Sequence, residues 1–361
     1  IYSLLEKMDR KEWDIMVCTH KDGSYWDKLI ALGITPYDLV LRRLAFLTFF
    51  ELFKILRKEK PDLIHTHGKG PGVYGRLLGW ILGIPVVHTF HGFQYKLLPF
   101  LNKLFYLLVE NILTLLTKHH IFVSKGEKGK AKILSFLNDS NSSVINNGVD
   151  LNSFENLSPA DDAFAELGLG DSEKIKVFGT LSRVSPEKGI ITLLEGFGEA
   201  KKIAPHIRLI IVGDCPEEHE EYIKTVRQYI HENGLDGTVK ILGSRENALG
   251  FLKCIDFYVS PSMSEGLPYN ILESLAVGNP VVATDIPGNN DIIRKSVEGV
   301  LIPVNSGRSL AHGLLTLLEM GTEECKAMVQ NGKARIRDQF SLGQMTEKTF
   351  SLYKKVLEES S

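Results

Sequence analysis

Two carboxylates at a fixed spacing are the feature of this sequence that most favours a specific chemistry. Glu265 and Glu273 have seven residues between them within residues 261–288, PSMSEGLPYNILESLAVGNPVVATDIPG. Pro268 fits the first turn of a helix, where its missing N–H is not needed, and Gly278 suits the end of that helix. We therefore expect Glu265 in the loop before this helix and Glu273 on the helix itself.

The same stretch predicts what would lie between the two carboxylates. At 1.5 Å per helical residue plus a few extended residues they should be about 10 Å apart, which is too far for the ~5 Å pair of a retaining glycosidase. Between them, the backbone N–H groups of Gly266, Leu267 and the helix start point outward as an anion site. A nucleotide sugar has this character, with two hydroxyl-rich ends and an anionic middle. The plain alternative is two surface glutamates beside an ordinary helix cap.

Two cations in another segment also indicate an anion. In residues 180–197, TLSRVSPEKGIITLLEGF, Ser185–Pro186 can cap and begin a helix, so Lys188 should fall in its first turn. Acidic side chains, not lysines, favour that positive end. Lys188 and Arg183, the latter at the end of the preceding strand, are explained if a phosphate group lies between them. The alternative is that Lys188 pairs with Glu187 or with water.

These residues need a scaffold, and an alternation of strands and helices supplies it. Short β-branched runs alternate with longer amphipathic runs, which predicts an α/β fold with parallel sheets of the doubly wound type. One series of strands ends near residues 146–154, and a second opens at 176 after the polar stretch 155–174. We expect two Rossmann-like domains joined by a linker and facing across a cleft. The expected strands are 14–19, 63–67, 85–90, 120–124, 143–146, 176–181, 208–213, 239–243, 257–261, 280–284 and 299–303.

Composition and charge limit the kinds of protein that this chain can be. The chain has 361 residues, enough for two domains, with 43% hydrophobic and 24% charged residues, which is ordinary globular usage. Its 42 basic and 44 acidic residues give a net charge of −2, so nothing favours a nucleic-acid partner. Four scattered cysteines without a C-x-x-C pair predict a reduced, cytoplasmic protein without a disulfide framework or a structural zinc site.

The charge is unevenly distributed along the chain. Residues 1–150 carry 20 Lys/Arg against 14 Asp/Glu, whereas residues 151–361 carry 22 against 30. The basic half also holds the most apolar segments, 41–60 and 96–120. Charges within the second segment argue against a spanning helix, and a helix packed into the first domain is the plain interpretation. The sharper one is a peripheral contact with an anionic membrane surface, on the inner face of the plasma membrane.

The motifs together resemble one known family. The stretches SRVSPEKG, IIVGD, VKILG and SEGLPYNILESLAVGNPVVATDIPG resemble the nucleotide-sugar half of the family 4 retaining glycosyltransferases. Residues 65–92 and 144–154 resemble the acceptor half, so the match covers nearly the whole chain. The E-x7-E stretch is its most discriminating part. The surroundings of H-x-x-H-G-F (88–93) resemble bacterial members that build exopolysaccharide, capsule or O-antigen units on lipid carriers.

The resemblance implies a GT-B fold and a set of domains. Residues 1–155 would be the acceptor-binding domain, and residues 156–342 the nucleotide-sugar-binding domain. A final helix, 343–361, would cross back to the first domain. The enzyme would need no metal and no cofactor, because the nucleotide sugar is a co-substrate.

The family's site residues carry over by position. Arg183 and Lys188 match the diphosphate-binding pair, and Glu273 matches the ribose-binding glutamate. Glu265 matches the glutamate beside the donor sugar, together with the backbone of Gly266, Leu267 and Pro268. His91 matches the acceptor-domain histidine that faces the transferred sugar. The expected catalytic residues are therefore His91, Glu265, Arg183 and Lys188.

The sequence departs from the family pattern at two places. The family's N-terminal strand and glycine-rich loop are absent, since the chain starts, at Ile1, in what should be the following helix. We therefore expect a piece without its true start, lacking part of the site. After VVATD the family's G-G-x-x-E reads PGNND (287–291), so Asp291 replaces a glutamate.

Two other kinds of site are weaker alternatives. His65 and His67, in H-x-H on one strand, would share a face and could bind a metal with His88 and His91. No acidic ligands accompany them, so we expect His67 in a cleft or loop, and His65 and His88 as structural histidines. The glycine-rich run 67–75 lacks both the P-loop G-K-[ST] and an intact G-x-G-x-x-G, and predicts a turn into a helix at 73–82.

We therefore expect a retaining, metal-independent hexosyltransferase. It would move a sugar from a nucleoside-diphosphate sugar, with UDP the expected nucleotide, to a hydroxyl acceptor such as a lipid-linked saccharide in cell-surface polysaccharide synthesis. One alternative is a UDP-sugar 2-epimerase, an isomerase of the same architecture. Another is a sugar-nucleotide-binding partner without activity of its own.

Overall fold

The computed structural model describes residues 1–21, 25–41, 45–93, 95, 99–160 and 175–360. These residues form two compact units, one of residues 1–146 with 342–361 and the other of residues 147–341. The predicted linker, 155–174, lies outside the described residues from 161 onward. Among the described helices, none combines the length and the apolarity that a membrane-spanning segment needs.

Strands and helices alternate along both units, as the sequence predicts. The helices are α1 (Tyr2–Glu6), α2 (Tyr25–Ala31), α3 (Phe46–Glu59), α4 (Lys69–Leu82), α5 (Phe100–Leu115), α6 (Lys125–Ala131), α7 (Asn152–Glu155), α8 (Ile190–Ile203), α9 (Glu220–Glu232), α10 (Tyr269–Val277), α11 (Asn289–Ile292), α12 (Gly307–Glu319), α13 (Thr322–Gln339) and α14 (Leu342–Glu358). The strands are β1 (Cys18–Thr19), β2 (Tyr37–Asp38), β3 (Ile64–His67), β4 (Val86–Phe90), β5 (His119–Phe122), β6 (Ser142–Val144), β7 (Lys176–Leu181), β8 (Ile207–Val212), β9 (Val239–Gly243), β10 (Phe257–Ser260), β11 (Val281–Thr284) and β12 (Gly299–Ile302).

The first unit is built on a parallel sheet of order β3-β4-β5-β6, with β1 and β2 paired separately. Every residue of β4 and β5 is buried, which explains why both strands are continuously apolar or histidine-rich instead of alternating. Helix α14 belongs to this unit because Leu352 and Tyr353 pack against Val87 and Ile121 of the sheet.

The second unit is built on a six-stranded parallel sheet of order β12-β11-β10-β7-β8-β9. Its core includes Phe178, Ile211, Val259 and Val282 from the strands. Helices α8 and α12 pack closely at Gly196, where a Cβ atom would lie 2.4 Å from Leu310. This core holds the carboxyl ends of the strands in a fixed order, and the candidate site lies at those ends.

The structure differs from the sequence-based expectation in its boundaries. The strand expected at 14–19 is ordered as a strand only at Cys18–Thr19, and its partner β2 was not predicted. The helix expected at 73–82 begins at Lys69, because a proline at the third helical position needs no hydrogen-bond acceptor. Residues 147–155 pack with the second unit, since the Val149 N–H donates to the Phe340 carbonyl at 2.9 Å.

Candidate functional site

The carboxyl ends of β7 and β10 bring the predicted residues of the second unit together. The chain runs from β7 outward to β8 and β9, and then returns to β10 on the opposite side of β7. A reversal of this kind opens a crevice at the carboxyl ends of the two strands, where doubly wound sheets bind their ligands. Arg183 and Lys188 follow β7, and Glu265 follows β10. Of the four stretches that resemble the nucleotide-sugar half of the family, the one with Arg183 and Lys188 and the one with Glu265 therefore meet at the topological switch point.

The cation and the carboxylate from these two loops form an ion pair. Lys188 Nζ lies 2.6 Å from Glu265 Oε1, and the side chains are only 16% and 11% exposed. The alternative in which Lys188 pairs with Glu187 or with water is therefore wrong. Because the pair is sheltered from water, removing one partner would leave the other charge poorly compensated. A ligand that offers both an anion and hydroxyl groups can bind both members of the pair, the anion at Lys188 and the hydroxyl groups at Glu265.

The two loops are also joined through their backbones. Gly189 has a φ of 67°, and a Cβ atom there would lie 2.2 Å from the carbonyl oxygen of Pro261. The Met263 N–H donates to the Glu187 carbonyl at 2.8 Å. Only glycine satisfies both the left-handed backbone and the close approach, so Gly189 places Lys188 beside Glu265.

The local structure around Lys188 corrects one expectation. Residues Pro186–Lys188 form a 3-10 turn, and α8 begins two residues after Lys188, so this lysine is not in the first turn of the α-helix. The Ser185 hydroxyl donates to the Glu187 carboxylate at 2.7 Å instead of capping the backbone. Arg183 lies 3.6 Å from the same carboxylate, with 56% of its side chain exposed. Its guanidinium is therefore open to a further anion.

The loop after β10 presents backbone donors. Pro268 is the N-cap of α10, one residue before the predicted position, and Gly278 ends the helix in the left-handed conformation with φ 108°. The Leu267 carbonyl accepts from Asn147 Nδ2 at 2.8 Å, which fixes the orientation of its peptide. Within the described part of the chain, nothing accepts a hydrogen bond from the N–H groups of Gly266 and Leu267. These two N–H groups are therefore available to an anion.

Glu273 lies one turn along α10 on a partly buried face. The apolar residues of this helix, among them Ile271 and Leu275, are buried, as the sequence predicts. Burial raises the pKa of the Glu273 carboxyl from 4.5 to about 7. No hydrogen bond or ion pair from another described residue reaches this carboxylate. A desolvated carboxylate without a protein partner is suited to accept hydrogen bonds from the hydroxyl groups of a ligand.

The loop after β11 supports the Gly266 backbone. Gly288 has a φ of 99°, and a Cβ atom there would lie 2.6 Å from the Gly266 carbonyl oxygen. The Asp291 carboxylate accepts from the Gly288 N–H at 3.1 Å, so the shorter side chain still makes a capping contact in PGNND. This loop therefore acts through its packing on the β10–α10 loop.

The first unit holds the predicted histidine. His91 is exposed at the end of β4, and its Nε2 lies 2.9 Å from Nδ1 of His67. His65 contacts Thr89 and the Tyr353 hydroxyl, and burial lowers the pKa of His65 to about 3. No three metal-binding side chains come together among the residues that the structure describes.

A cavity beside His91 includes residues that the sequence reasoning missed. It has a volume of about 220 Å³ and is lined in part by Lys69, Tyr106 and Glu110. Glu110 is buried and pairs with the fully buried Arg76 at 2.9 Å. The signal was a charged residue within an otherwise apolar helix, which the sequence reasoning used only as an argument against membrane spanning.

Two family models match the chain. The model described as Glycosyltransferase Family 4 matches residues 1–153. The model described as Glycosyl transferases group 1 matches residues 165–335. Between them they cover most of the sequence, and the division falls between the two strand series.

Relatives of known activity and solved structures match over most of the chain. The UDP-Gal:alpha-D-GlcNAc-diphosphoundecaprenol alpha-1,3-galactosyltransferase of Escherichia coli is 28% identical over 96% of this chain and 90% of its own length. The alpha-monoglucosyldiacylglycerol synthase of Streptococcus pneumoniae is 29% identical over 80% of this chain and 67% of its own length. The Anabaena protein HepE in complex with UDP and glucose superposes with a TM-score of 0.81 at 22% identity, covering 94% of this chain and 91% of HepE. A protein from Rickettsia africae gives a TM-score of 0.81 at 20% identity, covering 98% and 93%. The predicted fold, two Rossmann-like domains of the GT-B type, is confirmed.

Proposed function

Because this chain belongs to the glycosyltransferases of the family 4 type, we propose that it transfers a hexose from a UDP-sugar to a hydroxyl group of a lipid-linked saccharide. The observation that carries this proposal is the Lys188–Glu265 ion pair at the switch point of the second unit. The Escherichia coli relative is named for a UDP-sugar donor and a diphosphoundecaprenol-linked acceptor, and HepE was solved with UDP and glucose. These names support a UDP-sugar donor and a role in cell-surface polysaccharide synthesis.

The donor would bind by exchanging partners with the ion pair. The diphosphate takes Lys188 and Arg183, together with the N–H groups of Gly266 and Leu267 at the start of α10. Glu265, released from Lys188, accepts hydrogen bonds from hydroxyl groups of the transferred sugar. Glu273, which has no partner among the described residues, accepts from the ribose hydroxyls. Each charge of the unliganded site thereby gains a ligand group.

The reaction would proceed with retention of configuration. The bond between the anomeric carbon and the diphosphate oxygen breaks as the acceptor hydroxyl attacks from the same face of the sugar. The hydroxyl proton passes to the leaving phosphate oxygen, so UDP leaves with the electron pair of the broken bond. Arg183 and Lys188 stabilise the charge that develops on that oxygen. We propose no covalent nucleophile, no cofactor and no divalent cation for this step.

The first unit would supply the acceptor side. His91 is proposed to hydrogen-bond the transferred sugar and to help order the acceptor. A lipid-linked acceptor also implies that the enzyme works in the cytoplasm, at the inner face of the plasma membrane. The epimerase alternative is not favoured, since the reported relatives are transferases and synthases.

Transfer assays test the proposal directly. Protein incubated with UDP-glucose, UDP-galactose or their N-acetyl analogues and a lipid-linked saccharide should release UDP, also in the presence of EDTA, and NMR should show an anomeric configuration equal to that of the donor. Lys188→Ala should lose about 100-fold or more in kcat/KM, because it removes a cation at the leaving group. Lys202→Ala is the matched control, since that lysine is exposed and pairs with Glu199 on the surface of α8. Conversion of the UDP-sugar without any acceptor, or full activity of Lys188→Ala, would contradict the proposal.

A further inference from the structure

A buried carboxylate in the first unit contacts the segment 91–93, which directly follows β4. This carboxylate belongs to Glu127, a fully buried residue in the first turn of α6. Its Oε2 accepts a hydrogen bond from the Phe93 N–H, and its Oε1 pairs with the Lys130 ammonium. Because a carboxylate is costly to remove from water, its burial here has to be explained by the groups that it binds.

The sequence around Glu127 predicts a different partner for this carboxylate. Residues 124–127, SKGE, have the S-x-x-E pattern of a capping box, in which the glutamate accepts from the backbone N–H of the serine. The structure forms half of this box, since the Ser124 hydroxyl accepts from the Glu127 N–H at 3.1 Å. Within the described residues, the hydrogen bonds and ion pairs of the carboxylate go to Phe93 and Lys130 instead. The carboxylate therefore binds a backbone group 34 residues away and does not cap its own helix.

The segment that Glu127 contacts begins with His91, the histidine proposed to face the transferred sugar. Gly92 alone separates His91 from Phe93, and the backbone of a glycine is permissive. The Phe93 ring is buried beside the Phe90 ring, with 5.6 Å between the ring centroids. Strand β4 therefore fixes the chain before His91, and the ring and the N–H of Phe93 fix it afterwards. His91 and Gly92 also line the cavity in the first unit, so this segment forms part of the cavity wall.

We propose that Glu127 is a positioning residue, whose carboxylate binds the Phe93 N–H and thereby fixes the segment that presents His91 to the reacting sugar. A hydrogen bond from a backbone N–H to a carboxylate is roughly twice as strong as one between neutral groups, which favours a glutamate at this place. The Lys130 ammonium, itself only 14% exposed, compensates the buried charge from within α6. The effect on transfer rests on the proposed function, whereas the contact with the Phe93 N–H does not.

Two substitutions break the same ion pair, but only one of them removes the acceptor of the Phe93 N–H. Glu127→Leu removes the carboxylate, whereas Lys130→Met removes the cation and keeps the carboxylate. In protein labelled with ¹⁵N-phenylalanine, the Phe93 amide hydrogen should exchange at least about tenfold faster in Glu127→Leu than in the wild type. It should stay protected in Lys130→Met. Thermal unfolding measures the loss of stability that the two variants share.

Transfer kinetics test the effect on the reaction. Glu127→Leu should lower kcat at saturating donor and acceptor by about 10–100-fold, because a displacement of about 1 Å in a positioning group has an effect of this size. Lys130→Met should keep the kcat of the wild type. Glu127→Gln retains an acceptor oxygen without the charge, so its kcat and its Phe93 exchange rate should lie between those of Glu127→Leu and the wild type. The affinity for UDP should be the same in every variant, because the residues proposed to bind UDP lie in the second unit.

The outcomes separate this inference from the proposed function. Wild-type exchange of the Phe93 amide in Glu127→Leu would overturn the contact, and an equal kcat of Glu127→Leu and Lys130→Met would overturn the positioning role. A purely structural role predicts that kcat follows Tm through both variants. Glu127→Gln provides a second comparison if Glu127→Leu does not fold, since it should also exchange faster and turn over more slowly than Lys130→Met. If the wild type consumes no UDP-sugar while Phe93 exchanges as expected, the proposed function fails and Glu127 still fixes the segment 91–93.

Discussion

The Glu273→Gln substitution separates what this carboxylate does for the fold from what it does for the donor. In the unliganded protein, burial raises the pKa of Glu273 from 4.5 to about 7, and no other described residue donates a hydrogen bond to it. An ionised carboxylate in this place therefore opposes folding at alkaline pH. Glutamine has nearly the same shape and no charge. We expect it to stabilise the unliganded protein and to weaken donor binding.

The size of the stabilisation follows from the pKa. At ~1.4 kcal/mol per pKa unit, a rise from 4.5 to about 7 lowers the free energy of unfolding by about 3 kcal/mol at pH 8. The amide of glutamine retains part of the desolvation cost, so we expect Glu273→Gln to gain about 1–3 kcal/mol at pH 8. For a unit of this size each kcal/mol raises Tm by about 2–4 °C.

The pH dependence has a definite sign. Between pH 4.5 and 7 the folded protein keeps a proton on Glu273 that the unfolded chain has released. The free energy of unfolding of the wild type therefore decreases as pH rises through this window, and it stays lowered above it. The difference between Glu273→Gln and the wild type should accordingly be full at pH 8 and disappear near pH 4.5.

The Glu273→Gln substitution should weaken donor binding although it stabilises the unliganded protein. A hydrogen bond to an ionised group contributes about 1.5–3 kcal/mol, so Glu273→Gln should bind a UDP-sugar about 10–100-fold more weakly at pH 8. Below pH 7 the wild type must first release the proton, and its affinity should fall towards that of the variant. A UDP-sugar is the better probe than UDP, because its phosphates do not titrate near neutral pH.

Calorimetry can measure both effects on the same protein. Scanning calorimetry at pH 5 and 8 gives the difference in unfolding, and titration with UDP-glucose in buffers of different ionisation enthalpy gives the proton release. Glu324→Gln is the control, since Glu324 is exposed on α13 and should change stability by less than about 0.5 kcal/mol. An unchanged or lower Tm for Glu273→Gln at pH 8 would refute the burial argument. Unchanged affinity for UDP-glucose would refute the role of Glu273 in the donor site.

Three further substitutions test the packing around the two sites. Glu265→Ala leaves the Lys188 ammonium sheltered without its partner, so it should lower the free energy of unfolding by about 1–3 kcal/mol and show a larger rise of Tm with UDP than the wild type. Gly189→Ala should lower the free energy of unfolding by at least about 2 kcal/mol and remove most of the affinity for UDP, because the alanine Cβ would collide with the Pro261 carbonyl. Stability equal to that of the wild type would contradict the left-handed conformation of Gly189 and its contact with Pro261. His120→Leu should stabilise the protein by about 1–2 kcal/mol, since neither buried ring nitrogen makes a hydrogen bond of good geometry within the described residues. Burial lowers the pKa of His120 from 6.5 to about 3, so wild-type stability should fall as pH drops below 6.5, and urea titration at pH 5 and 7 should show a shallower fall for the variant.

The local structure around Glu265 and Glu273 could be predicted well because its signals are local. Pro268 and Gly278 bound a helix by their own backbone chemistry, and the spacing of Glu265 and Glu273 follows from those bounds. The partner of Lys188 could not be predicted, because it lies 77 residues away and becomes a neighbour only through the strand order. The start of α8 was misplaced because the left-handed backbone of Gly189 depends on the close approach of the neighbouring loop.

The first unit was harder to predict because the usual meaning of an apolar pattern fails there. Sequence periodicity assumes that apolar side chains face the protein interior, and under that assumption α5 should bury its leucines. The structure buries Glu110 and Thr114 beside Leu113 and leaves Leu104 and Leu108 exposed. The buried carboxylate obeys the same physical rule because it pairs with the fully buried Arg76 guanidinium. The sequence does not show what surrounds each side of the helix. A charged residue in the middle of an apolar helix is the local sign that the two sides have different surroundings.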